Sequence, residues 1–318
     1  MSKRVLPASL ATLFAKARGS ALPLPPRLAR LYGEFRMPVR RRRALVFSNF
    51  VSTLDGVVSL KVPGHEGGGD ISGFNAEDRM VMGLLRAVSD VVIVGSGTVE
   101  GDPHHMWTGA AICPELATDY ARLRRAMGKR EPALKVVITL SGRVDLALPG
   151  YRGGARHPGR VLVLTSPLGA KRLARQSASR RVDIRVLQDG TRSGAATLAG
   201  GVGAAGGTGT AGAILEEVTR LVAPERVLVE GGPLLVGSFY AERLLDEQFL
   251  TLSPQLAGRE LDDGRIGFVM GRQFAPRNPR WATLTDVRRG SSHLFLRYLF
   301  DRGCPVGADR HACSRRVG

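Results

Sequence analysis

The sequence predicts an α/β protein with a mixed, mostly parallel sheet and helices on both of its faces. Short near-continuous apolar runs such as VVIV, KVVI and VLVL recur along the chain, as strands do when both faces are covered. They alternate with stretches whose apolar residues fall at helical spacing, the pattern of repeated strand–helix units. The last two runs, ATLTDVRRG and HLFLRYLF, are joined by a tight turn and read as a closing antiparallel pair.

The elements follow in order. Residues 1–43 are Pro/Arg-rich, with one short helix expected at PRLARLYGEF, and read as a basic extension. The first strong strand is ALVFSNFVS, stopped by the Leu54-Asp55-Gly56 turn. A glycine-rich loop, HEGGGD, leads to a helix with Asn75 as N-cap and Asp78 three residues on; Met80, Val81, Leu84, Leu85 and Val88 line one face. Then come DVVIVGSGTV, a Pro/His/Trp loop, and a charged helix at ELATDYARLRRAM. Strands are expected at LKVVIT, RVLVLTS and DIRVLQ, with a helix at KRLARQ. The tract 202–212, rich in Gly, Ala and Thr, reads as a flexible insertion. ILEEVTRLV is helical, VLV is a strand, LLVGSFYAERLL is helical, and QFLTLSPQLAG opens as a strand. One domain is expected over 44–301, followed by a disordered basic tail at 302–318.

A formal charge of +18 raises nucleic acid as a partner. The excess sits mainly at the ends: residues 1–43 carry eleven Lys/Arg against Glu34 alone, and residues 302–318 four Arg against Asp309. That distribution favours solvated arms over a binding face within the domain. No apolar run is long enough to cross a membrane. Cys113, Cys304 and Cys313 have neither metal nor redox spacing, so no metal site is expected and a reducing cytoplasm fits. The apolar patch near the N-terminus is interrupted by polar residues and lacks a clean cleavage site, so no signal peptide is expected.

The candidate chemistry lies at strand ends. In RVLVEGGPLLVGSFY an apolar strand ends at Glu230, and Gly231, Gly232 and Pro233 turn the chain into a helix that begins with Leu234 and Leu235. Such a turn lets bare backbone N–H groups approach a phosphate. A second turn, Gly95-Ser96-Gly97-Thr98, ends VVIV. It is not the G-x-G-x-x-G fingerprint, but two glycine turns in one sheet suit a dinucleotide diphosphate; each alone also suits an ordinary strand–helix turn. Thr165 and Ser166, with Lys171 and Arg172 one turn on, suit either the 2′-phosphate of NADPH or plain capping. Thr139, Ser141 and Arg143 compete for that role.

The segments STLDG (52–56), LLRAVSDVVIVGSGTVEGDP (84–103) and VLVEGGPLLVGSFYAERLLDEQFLTLSPQLAG (227–258) resemble the reductase domain of bacterial riboflavin biosynthesis. The resemblance spans about residues 50–300. It implies a dihydrofolate-reductase-like three-layer sandwich, NADPH across the strand ends, and hydride delivery to C1 of an opened ribosylamino-pyrimidine. It also implies a homodimer. By analogy Thr98, Asp102 and the 232–238 turn touch the cofactor, and Arg86 and Glu230 the substrate. The chain departs from the family where the usual leucine and arginine after Asp-Pro are replaced by DPHHMWTG, and where Trp-Ile-Ser becomes Asp70-Ile71-Ser72. No zinc deaminase motif occurs.

A 5-amino-6-(5-phosphoribosylamino)uracil reductase-like activity is therefore expected, with Glu230 or Asp78 as the working carboxylate. Asp78 falls where dihydrofolate reductases carry their pterin-binding carboxylate, so a pterin or another small heterocycle is the alternative substrate. Asp78 also suits helix capping alone. Asp55 is read as a turn residue bordering the nicotinamide. Trp107 is read as a platform for a flat heterocycle or a packed loop residue. His104 and His105 are read as pocket-lining loop residues. A basic nucleic-acid-binding protein is the alternative from another class.

Overall fold

The computed structural model of the protein describes residues 6–16, 18–65, 67–152, 160–176, 181–187, 211–260 and 264–300. The tail 302–318 lies outside them, as does the tract 202–212 except for Ala211 and Gly212, which open a helix.

The strands are β1 (Ala11–Ala15), β2 (Ser20–Ala21), β3 (Arg36–Met37), β4 (Leu45–Ser52), β5 (Val57–Ser59), β6 (Val91–Gly95), β7 (Leu134–Ile138), β8 (Val161–Thr165), β9 (Val182–Val186), β10 (Arg226–Val229), β11 (Glu247–Leu252), β12 (Ile266–Gly267), β13 (Thr283–Gly290) and β14 (His293–Leu299). Ten of them form one sheet in the order β1-β13-β14-β11-β4-β10-β6-β7-β8-β9. From β11 through β9 every neighbouring pair is parallel. The β1-β13-β14-β11 end is antiparallel, so the sheet is mixed as the sequence predicts.

Each parallel strand divides its side chains between two cores. Phe47, Val92, Val94, Val137, Val163 and Leu228 face α3 (Ala76–Val88) and α6 (Ala117–Ala126). Val46, Ile93, Val136, Ile138, Leu164 and Val229 face α9 (Ala211–Val222) and α10 (Pro233–Ala241). Burial on both sides is why these runs are continuously apolar rather than alternating. Helix α3 starts where expected, with Asn75 Oδ1 accepting from Asp78 N at 2.7 Å. The helix expected at KRLARQ begins earlier, at Pro167, because Ser166 caps it by accepting from Gly169 N at 3.1 Å. Helix α5 (Gly109–Ile112) packs tightly on α3: a Cβ on Gly109 would lie 2.6 Å from Gly83 O. That contact brings the loop before α5 against α3.

The solvated arm expected over residues 1–43 does not describe residues 6–43. Strand β1 adds the sheet's last strand, and Leu28, Tyr32, Phe35 and Met37 are buried in the core beside Phe249 and Phe295. The helix α1 (Pro26–Tyr32) and the segment after it are held by arginines from the sheet. Arg288, paired with Asp286, donates to Tyr32 O and to Glu34 O, the latter at 2.9 Å. Arg297, paired with Glu247, donates to Arg36 O at 2.7 Å. Arg43 binds the fully buried Asp246 through both Nη atoms. Arg27, Arg36, Arg40 and Arg43 of this segment therefore meet carboxylates or carbonyls of their own chain, a pairing that composition does not reveal. Both members of the Arg288–Asp286 pair are buried, and removing one strands the other's charge. Arg288→Leu is expected to destabilise the fold by about 3–5 kcal/mol, read as a lower urea midpoint; an unchanged midpoint would contradict this anchoring.

Candidate active site

Strand register creates the site. β10 pairs with β4 only as far as Ser48, whereas β4 continues to Ser52 alongside β11. On the other side β6 and β7 also run past β10. The short central strand leaves a notch at the carboxyl edge of the sheet, at the point where chain connections diverge to opposite faces. Open α/β sheets bind ligands at such a place.

Glu230 forms the floor of the notch, its N–H donating to Ile93 O at 2.9 Å. Its side chain follows Leu228 in parity and so points to the α3 face. There Arg86 Nε donates to Glu230 Oε2 at 2.8 Å, and both side chains are almost fully buried. Burial pushes the Glu230 carboxyl upward, and the Arg86 guanidinium opposes that rise. Its Oε1 is buried without a hydrogen-bond partner. Asn49 on β4 acts on the same carboxylate without hydrogen-bond geometry to that atom. An unsatisfied buried carboxylate oxygen is costly, and a ligand N–H or O–H at the notch would satisfy it.

Arg86 makes a second contact, from Nη1 to His105 Nε2 at 2.6 Å. A guanidinium has no lone pair to offer, so Nε2 is the acceptor and the proton sits on Nδ1. Nδ1 lies 3.3 Å from Asp102 Oδ2. Burial, with Arg86 beside it, lowers the His105 pKa to about 4, which keeps the ring neutral. Glu230, Arg86, His105 and Asp102 thus form one line from the notch floor to the half-exposed Asp102.

The two glycine turns come together beside this line. Gly95 is the N-cap of α4 (Ser96–Gly101) and Gly232 that of α10, and neither helix start has a side-chain cap. A Cβ on Gly95 would be 4.0 Å from Gly232 N, and one on Gly232 would be 3.7 Å from Thr98 Oγ1. A Cβ on Gly97 would meet nothing within 4 Å. Backbone donors under open space fit a diphosphate. Gly231, Pro233 and Leu235 pack beneath the turn, and Leu234 is exposed at 47%.

Other expected residues sit apart from this centre. Thr165 is fully buried and donates to Thr139 O at 2.6 Å; Ser166, the cap of α8 (Pro167–Leu173), donates to Leu140 O at 2.6 Å. Both hydroxyls are thereby committed to capping and to the neighbouring strand's turn. Asp78 is buried with Thr251, Ser72 and His293 around it, and burial raises its pKa. It forms a cluster separate from Arg86 and Glu230. Asp55 accepts from Thr53 Oγ1 at 2.5 Å and from Ala257 N and Gly258 N at 3.2 and 2.8 Å; the Thr53 bond leads these in lowering its pKa to about 2. It ties the first turn to the loop after β11. Trp107 is only 5% exposed, so its ring is core, not an open platform.

Lys135 went unremarked in the sequence. It breaks the apolar run of β7 on the face that carries Val137, and this lone charge in a buried strand is the signal that marks it. The ammonium donates to Gly150 O at 2.6 Å and sits 3.8 Å from the Trp107 ring centroid. Among the described residues, no group of three or more His, Cys, Asp or Glu is placed to hold a metal, and no helix is long and apolar enough to cross a membrane.

Comparison with known proteins agrees with this architecture. A curated 2,5-diamino-6-ribosylamino-4(3H)-pyrimidinone 5′-phosphate reductase of Archaeoglobus fulgidus is 28% identical over 219 residues, covering 68% of this chain and 83% of that protein. A Thermotoga maritima diaminohydroxyphosphoribosylaminopyrimidine deaminase/5-amino-6-(5-phosphoribosylamino)uracil reductase superposes with a TM-score of 0.53 at 18% identity, over 82% of this chain. The match spans 58% of that bifunctional protein's length. A pyrimidine reductase-like protein of Corynebacterium diphtheriae gives a TM-score of 0.56 at 13% identity, covering 81% of this chain and 92% of its own. The model of the RibD C-terminal domain matches residues 44–266, and the chain belongs to that family.

Proposed function

We propose that this chain is an NADPH-dependent reductase that delivers hydride to C1 of a ribosylamino-pyrimidine, as a riboflavin-pathway enzyme. Reductases of this family draw on a nicotinamide cofactor. The single observation that carries the reading is the buried Arg86–Glu230 pair with Glu230 Oε1 unsatisfied, set beside two uncapped glycine turns. The backbone N–H groups at Gly232 and the space over Gly95 and Gly97 would hold the diphosphate, with Thr98 and Asp102 at its edge. Exposed Arg143, in the loop after β7, and exposed Lys171, in α8, offer charge for the 2′-phosphate in place of the committed Thr165 and Ser166 hydroxyls.

Reducing a C=N or C=O bond adds a hydride to carbon and a proton to the heteroatom. The bound nicotinamide supplies the hydride. Glu230 Oε1 accepts an N–H or O–H of the substrate and orients it, and its raised pKa suits it to hold a proton near the reacting heteroatom. Arg86 fixes the carboxylate's rotamer, and with neutral His105 it keeps the floor rigid. Asp78 has a structural role in this scheme, since its carboxylate serves Ser72 and Thr251. A cytoplasmic homodimer accompanies the reading, supported by the sequence resemblance and by exposed Leu13, Trp281 and Leu284 in and beside β1 and β13.

The direct test is NADPH oxidation with the ribosylamino-pyrimidine phosphate and with dihydrofolate. Turnover of the first is expected, and turnover of neither would remove the substrate assignment. Glu230→Gln is expected to lower kcat/KM about 100-fold with NADPH affinity unchanged; wild-type kinetics would exclude Glu230 from the chemistry. Gly97→Ala adds a Cβ to the open space that meets no protein atom within 4 Å. It should weaken NADPH binding at least about tenfold, measured by calorimetry, while the melting temperature stays near that of the parent.

A further inference from the structure

The 102–108 loop is folded inward, although its composition suggests an open pocket lining. Trp107 adopts φ +46, a left-handed backbone uncommon for a bulky residue. Its ring lies against His105, with centroids 4.6 Å apart in an edge arrangement. On the other side the Lys135 ammonium approaches to 3.8 Å from the ring centroid. The same ammonium donates to Gly150 O at 2.6 Å, and Gly150 N donates back to Pro103 O at 2.7 Å. A Cβ on Gly150 would lie 3.1 Å from Pro103 O and 3.6 Å from Lys135 Nζ, so the loop and α7 (Pro149–Arg152) meet closely. Lys135 therefore touches the loop directly at Trp107 and reaches its other end, Pro103, through Gly150, while the loop's middle residue, His105, meets Arg86.

We propose that Lys135 is a positioning residue: its ammonium, clamped between the Trp107 ring and the Gly150 carbonyl, holds the inward loop that presents His105 to Arg86 and so sets the Arg86–Glu230 pair. The assignment deepens the reading of that pair as the reactive centre and rests on it. A cation over an indole face is an electrostatic attraction that strengthens on desolvation, and Lys135 is 7% exposed. The charged and titratable groups around it are Arg86 from α3, Asp102 and His105 from the loop, and Tyr151 from α7, whose ring centroid is 6.0 Å from the ammonium. Burial first, then Arg86, lowers the Lys135 pKa to about 7, against the smaller raising effect of Asp102. The cation–ring half of the clamp is consequently present on the acid side of neutrality and is lost as pH rises through that value, while the neutral amine can still donate to Gly150 O. Activity then carries an alkaline limb set by a residue that does not touch substrate.

The chain holds two tryptophans, so in a Trp281→Phe background Trp107 alone reports. Its emission is expected to titrate about a midpoint near pH 7, the Lys135 value. Adding Lys135→Met or Lys135→Arg should flatten that titration. In Lys135→Met the His105 imidazole nitrogens, read by NMR, should lose the single Nδ1–H tautomer, and kcat/KM should fall on the order of tenfold. Lys135→Arg should keep the tautomer and move the alkaline limb to higher pH, since its charge persists. Unchanged His105 signals in Lys135→Met, or a Trp107 titration that survives both substitutions, overturns the proposal. Intact spectroscopic effects in a protein that reduces none of the heterocycles would instead remove the reading of the reactive centre and leave the clamp standing.

Discussion

The buried ion pair between Arg86 and Glu230 is the constraint on which the rest of the site depends. Two charges taken from water are tolerated only when each is closely matched, and here the match is incomplete by one oxygen, Glu230 Oε1. Arg86 reaches the carboxylate from α3 because Glu230 turns its side chain to that face. The helix is held at the right depth by its own apolar face and by α5 pressed against Gly83. The geometry of the notch floor is thus a consequence of ordinary core packing on one side of the sheet.

A second consequence concerns how the notch arises. It needs no cavity carved into the core: a strand a few residues shorter than its neighbours lowers the floor, and flanking strands supply the walls. The two glycine turns lie side by side because β6 and β10 are adjacent, although they are far apart in sequence. Glycine serves there by leaving room. Both N-cap residues have negative φ, −83 for Gly95 and −63 for Gly232, so a left-handed backbone is not the reason for either.

The N-terminal segment shows how charge composition misleads when partners are intramolecular. Its arginines look like a solvated arm in the sequence. In the fold, Arg43 binds Asp246, and Arg288 and Arg297 bind carbonyls of the segment itself. Cations spread along a chain become anchors when carboxylates and unpaired carbonyls of distant segments converge on them. The antiparallel end of the sheet is completed in this way by residues that precede the family's matched region.

Much was legible before any coordinates. Apolar runs named the parallel strands, helical spacing and Asn75 set α3, and the GSGT and EGGP turns marked the carboxyl edge of the sheet, because local propensity and two-sided burial write themselves into short windows. Glu230 and Arg86 were named as companions through a resemblance to the family. Tertiary structure alone decided which hydroxyls were already spent, since Thr165 and Ser166 are claimed by carbonyls of a neighbouring strand's loop. It also set Asp78 apart from Glu230, turned Trp107 into the core, and made Lys135 its partner. Those outcomes depend on contacts between residues far apart in sequence, and hydrogen-bond partners of that kind leave no periodic trace in the chain.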